Sequence, residues 1–91
     1  MKTDPRSLPP QLPQSRTTRL DVAAFLLVRG FQIALVDLAG GTATFTFNDP
    51  EQRADAVVRE FYNGGQVVAS EYAGAQKQVR DLMWEAKRRA S

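Results

Sequence analysis

The sharpest period in the chain runs from Thr42 to Phe47, where Ala43, Phe45 and Phe47 alternate with Thr42, Thr44 and Thr46. A period of two belongs to an extended strand with one face on a core. Phe31 to Leu38 also alternates, with Phe31, Ile33 and Leu35 on one face and Gln32, Ala34, Val36 and Leu38 on the other. Ala39-Gly40-Gly41 lies between the two segments and has the composition of a turn. Together they predict an antiparallel hairpin whose aromatic face meets helices and whose outer face is rich in threonine and short of charge.

Helical spacing surrounds the hairpin. From Leu20 to Arg29 the chain is apolar nearly all round: Leu20, Ala23, Ala24 and Leu27 share one face, and Phe25 and Leu26 fall on others. Such a helix is buried on more than one side. Thr18 followed by Asp21 resembles a capping box, and Gly30 is placed to end the helix. A second helix is expected after Asn48-Asp49-Pro50-Glu51, which combines a capping side chain, a first-turn proline and an early acid. Its expected buried stripe is Ala54, Val57, Val58, Phe61 and Tyr62, and Asn63-Gly64-Gly65 stops it. Gln66 to Ala69 reads as a short extended link and a candidate edge strand. Ser70 can cap a last helix reaching about Arg89, with Tyr72, Ala75, Val79, Leu82, Met83 and Ala86 on its core side. The fold class expected is α+β: a small single domain over residues 17–91, helix–β-hairpin–helix–helix, with a two-stranded antiparallel sheet packed on three helices.

Residues 1–16 contrast with this pattern. They hold Pro5, Pro9, Pro10 and Pro13, and beyond Met1 their only large apolar residues are Leu8 and Leu12. Such a segment buries too little to offset its ordering cost, so it reads as a disordered, Pro-rich leader outside the domain. Arg6 to Pro13 also has the look of a proline-rich ligand, although Leu12 stands where the usual spacing wants proline. The leader lacks the apolar stretch of a secretory signal, and no run of the chain approaches the ~20 apolar residues of a membrane span. A cytoplasmic location is the expectation. Charge divides the same way. Lys2, Arg6 and Arg16 against Asp4 give the leader its positive balance, which is the whole of the chain's net +2.

The inventory for catalysis is thin. The 91 residues contain no cysteine and no histidine, which removes thiolate chemistry and the commonest general base and metal ligand. The acids Asp21, Asp49 and Glu51 sit at helix starts, and Asp81 and Glu85 lie four apart among cations as surface pairs would. Gly40-Gly41 and Gly64-Gly65 fit no phosphate-binding loop. The expectation is a protein that is not an enzyme and that needs no cofactor and no metal.

Two surfaces remain. On the last helix Lys77, Arg80, Trp84, Lys87 and Arg88 fall within an arc of about 100°. A tryptophan among cations suits nucleic acid, because cations meet phosphates and an indole stacks on a base. It equally suits a protein-interface anchor with a basic rim. The same residues also fit a structural role, with Trp84 at the core's edge under lysine and arginine stems and the last cations complementing the helix dipole. The second surface is the outer hairpin face, Gln32, Ala34, Val36, Thr42, Thr44 and Thr46, a candidate dimer face because a two-stranded sheet leaves both edges open.

Thr18-x-x-x-x-Ala23-Ala24-Phe25-Leu26-Leu27-x-x-Gly30, Phe45-Thr46-Phe47-x-Asp49 and Val68-x-Ser70-Glu71-Tyr72 together resemble a family of small uncharacterised bacterial and phage proteins, a domain of unknown function, over residues 17–91. The resemblance implies a small accessory protein and assigns no site residues. The functional expectation is a non-catalytic binding module that contacts nucleic acid through the last helix. The alternative is a protein-interaction or homodimerisation module using the hairpin face and Trp84.

Overall fold

The computed structural model describes residues 13–90, in the order β1 (Gln14–Thr17), α1 (Leu20–Val28), β2 (Gln32–Ala39), β3 (Thr42–Asn48), α2 (Ala54–Tyr62) and α3 (Ala69–Ala90). The result is a small α+β unit with three helices and one antiparallel sheet. The sheet has three strands rather than the two expected, in the order β1-β3-β2. The added strand comes from the supposed leader, so Gln14 to Arg16 belong to the domain. The rest of the proline-rich segment, and most of its ligand-like stretch, lie outside the described residues.

Gln14-Ser15-Arg16-Thr17 contains no apolar side chain that periodicity could detect. It is a strand because β3 offers it a main-chain edge. Ser15 pairs with Phe47, Thr17 with Phe45, and Gln14 and Arg16 with Asn48 and Thr46. The Asp49 amide extends the ladder by donating to the Pro13 carbonyl at 2.8 Å. Gln66 to Val68, the expected edge strand, is not in the sheet and runs as irregular chain into α3.

β2 departs from simple alternation. A bulge between Ile33 and Leu35 leaves Ala34 without a partner in the ladder. Beyond it, Val36 pairs with Phe45 and Leu38 with Ala43, while Leu35 and Asp37 face Thr46 and Thr44. A one-residue shift moves every following side chain to the other face. Leu35 therefore leaves the core side, where straight alternation puts it, and Val36 and Leu38 enter it. The physical gain is plain: Ile33, Val36 and Leu38 all reach the helices, and the charged Asp37 stays in water.

The core follows from this arrangement. Ala43, Phe45 and Phe47 of β3 are buried in one cluster with α1, whose Val22, Ala23, Ala24, Phe25 and Leu26 are all buried in succession. This confirms a helix enclosed on several sides. Ala54 and Val57 of α2 and Ala75 and Val79 of α3 close the same cluster. Gly30, at φ +92°, ends α1 as expected. Its amide donates to Leu27 and that of Phe31 to Leu26, both at 3.0 Å, the paired bonds of a Schellman turn.

All three helix starts differ from expectation, and α3 begins at Ala69, so Ser70 lies inside the helix it was expected to cap. Thr18 does not cap α1. The Thr17 hydroxyl accepts from the Arg19 amide at 3.1 Å, and Asp21 accepts from the Val22 amide at 2.8 Å. Asp49 does cap α2, but from five residues away. Its buried carboxylate accepts from the amides of Arg53 at 2.7 Å and Ala54 at 3.2 Å. Pro50 to Gln52 form a turn between them, with Gln52 in the left-handed region at φ +55°.

Candidate functional site

α3 crosses the domain with Ala75, Val79 and Ala86 buried and Tyr72, Leu82 and Met83 half-buried, so one side is committed to the core. The Tyr72 hydroxyl secures the crossing by donating to the Asp21 carbonyl of α1 at 3.2 Å. The opposite side carries the residues singled out from sequence. Lys77, Arg80, Trp84 and Arg88 are exposed, and Lys87 is half-buried. Trp84 keeps 51% of its surface in solvent although the Lys87 ammonium lies 4.8 Å from its ring centre. The cation over the ring orients the indole without covering it.

Charge on α3 is lopsided around its axis. Asp81 takes Lys77 at 2.9 Å and Glu85 takes Arg89 at 3.4 Å, each one turn apart. These exposed pairs hold their partners weakly and yield to salt. Among the described residues Arg80 and Arg88 are in no ion pair. The five residues therefore share one solvent face, with Lys77 at its acidic flank.

The hairpin face is altered by the bulge. Gln32 and Thr42 are exposed, Thr44 is half-buried and Thr46 is buried, flanked by Arg16 and Leu35 across the ladder. Val36 is not on this face; it packs inward opposite Phe45, and Ala34 sits at the bulge itself. Leu35, 55% exposed, takes the outward position, and Arg16 and Asp37 bring charge to a face expected to be nearly free of it.

One feature was not legible from spacing. The Arg29 guanidinium forks onto Glu60 at 2.8 and 2.6 Å, reaches the Gln66 carbonyl at 3.1 Å, and stacks 4.6 Å from the Phe25 ring centre. This holds the end of α1 to α2 and to the loop before α3. The pairing keeps the Glu60 carboxyl below its ordinary pKa. Arg19 does the same for Asp21 through a two-pronged contact at 3.1 and 2.8 Å. A cleft of about 390 Å³ lies beside Arg29, bordered by Phe31, Gln32, Asn48 and Arg53. Its cations are engaged, Arg29 with Glu60 and Arg53 with Glu51 at 3.1 Å. Among the described residues no group of three or more acidic side chains is arranged to hold a metal ion. Nor is any helix among them long and apolar enough to cross a membrane.

Residues 14–85 match the model of a family described as a domain of unknown function (DUF5659), and the chain belongs to that family. The match opens on the first residue of β1 and takes in Trp84, so both the unexpected strand and most of the α3 face lie within it. No curated protein and no solved structure matches the chain.

Proposed function

We propose that this chain is a non-catalytic accessory module that binds nucleic acid through the solvent side of α3. Trp84 serves as a stacking platform, and Lys77, Arg80, Lys87 and Arg88 meet phosphates. The observation carrying the reading is the half-exposed indole on the side of α3 away from the core, set among cations. Leaving half of a side chain that can bury ~200 Å² in water forgoes about 2–3 kcal/mol of burial. A contact that covers the ring recovers it. The motif resemblance to small bacterial and phage proteins favours an accessory role in the cytoplasm.

The test titrates the protein with a mixed-sequence single strand and follows Trp84 fluorescence. Single-strand affinity falls with salt by a slope of about −0.7 per phosphate contact, so four contacts lose roughly 50-fold between ~50 and ~200 mM salt. The double variant Lys77→Ala, Arg80→Ala is expected to bind more weakly while keeping its fold. Unchanged fluorescence at both salts refutes the reading.

A second reading rests on Leu35, 55% exposed on the outward face of the sheet, where it pairs with Thr46. It is a protein contact or homodimer through the sheet. A Thr44→Lys variant with the same solution mass as the parent argues against the dimer.

A further inference from the structure

Charges over residues 17–91 cancel, so any anionic partner must be drawn by their distribution, not their sum. Glu60 is taken up by Arg29, Glu51 by Arg53, and Asp81 and Glu85 lie to one flank of α3. On the other flank the cations continue. Arg80 borders a cleft of about 410 Å³ at the start of α1, and the facing wall contributes Arg19, Leu20 and Asp21. Arg19 in turn lies over Tyr62 at the end of α2, its guanidinium carbon 5.8 Å from the ring centre.

Tyr62 is the more exposed of the two large rings on this side, at 58%. Phe61 meets it edge-on at 5.2 Å and steadies its plane. Around it Arg16 of β1 and Arg59 of α2 border a groove of about 310 Å³. Among the described residues neither arginine is in an ion pair. The acids within the band are Asp21, which is held by Arg19 and the Val22 amide, and Asp55.

The sequence places Trp84 and Tyr62 in different helices and suggests no link between them; the fold joins them through Arg80 and Arg19. We propose that the ligand of this surface is a single strand of nucleic acid, laid from Trp84 across Arg80 and Arg19 to Tyr62, with one base stacked at each end. This inference rests on the nucleic-acid reading of α3 and extends it to α1, α2 and β1. Two separated rings with exposed faces serve unstacked bases, and the cations between them track the backbone joining those bases. Arg80 is in no ion pair among the described residues, and Arg19 holds Asp21 through a solvent-exposed pair weak enough to exchange for a phosphate. A duplex hides its base faces and gives such rings nothing to stack on.

The experiment uses the full chain with labelled oligothymidylates of about 4 and about 15 nucleotides and a duplex of the longer length. Binding is read by anisotropy and by Trp84 quenching. Tyr62→Ala is expected to lower affinity for the longer strand about 5- to 100-fold, the range for loss of one base–aromatic stack. Quenching of Trp84 by the shorter strand stays within about twofold. Tyr62→Phe restores the longer strand's affinity, because it keeps the ring. If Tyr62→Ala binds the longer strand as the parent does, the band is wrong and the α3 reading stands. Failure of Tyr62→Phe to restore affinity overturns the stacking role. A duplex bound as tightly as the single strand overturns the choice of ligand. No binding of any oligonucleotide by the parent chain overturns the α3 reading and this inference with it.

Discussion

Replacing Gly65 by alanine tests how tightly the loop between α2 and α3 is seated. A methyl group there falls 2.8 Å from Glu60 Cγ, 2.9 Å from the Glu60 carbonyl oxygen and 3.1 Å from Phe25 Cζ. Comfortable carbon contacts are ~3.5–4.0 Å. None of the three atoms yields easily. The Glu60 side chain is forked by Arg29, and its carbonyl accepts the Gly65 amide at 2.8 Å in the turn that ends α2. Phe25 is buried at 1% exposure and packs 5.2 Å from Phe61. Overpacking of this kind costs about 1–3 kcal/mol. In a domain of this size each kcal/mol moves Tm by about 4–8 °C, so a fall of roughly 5–20 °C is expected. Gly74 supplies the opposite case. It lies inside α3 with nothing within 4 Å of an added methyl, so Gly74→Ala is expected to stabilise by about 0.5–1 kcal/mol. Thermal melts by far-ultraviolet circular dichroism compare the two directly and avoid the exposed tryptophan as a reporter. A Gly65→Ala melt within 1 °C of the parent refutes the packing described for this loop.

The bulge in β2 makes a prediction contrary to plain alternation. Val36→Asp is expected to destabilise severely, because it places a carboxylate opposite buried Phe45, while Leu35→Asp costs only about 1 kcal/mol, the half-burial of one leucine. Urea midpoints that rank the two the other way exclude the bulged register. Acid is expected to weaken the fold through Asp21 and Glu60. Their folded values lie below the ordinary 3.8 and 4.5, lowered first by the hydrogen bonds from Arg19 and Arg29. The stability they confer is therefore complete above those ordinary values and drains as pH falls through the lower folded ones. Equal urea midpoints at pH 6 and pH 3 contradict this, and Glu60→Gln is expected to reduce the difference.

Several elements were legible because they bury their own side chains on a local period. The unbroken run Val22 to Leu26 announced a helix enclosed on several sides, and Gly30 marked its end. The alternation of Ala43, Phe45 and Phe47 identified the central strand's buried face without needing its neighbours. The five-residue arc of α3 was equally readable, because 100° per residue fixes which side chains share a side. Its exposure needed the fold, since a half-exposed Trp84 and one tucked under cationic stems share the same spacing.

What the chain alone determined is thus the α+β class, the burial of α1, the inward face of β3 and the residues sharing one side of α3. Tertiary structure alone decided β1, the bulge at Ala34, the remote capping of α2 by Asp49, and the link from Arg80 through Arg19 to Tyr62. The division has one physical cause. Hydrophobic periodicity records how a segment buries itself within a few residues of chain. Strand pairing, remote caps and cation–ring contacts are made with partners tens of residues away, or, for Asp49, across a turn whose path local pattern leaves open. Gln14-Ser15-Arg16-Thr17 carries no apolar mark of its own, and it became a strand only when the folded β3 presented an edge for its amides and carbonyls.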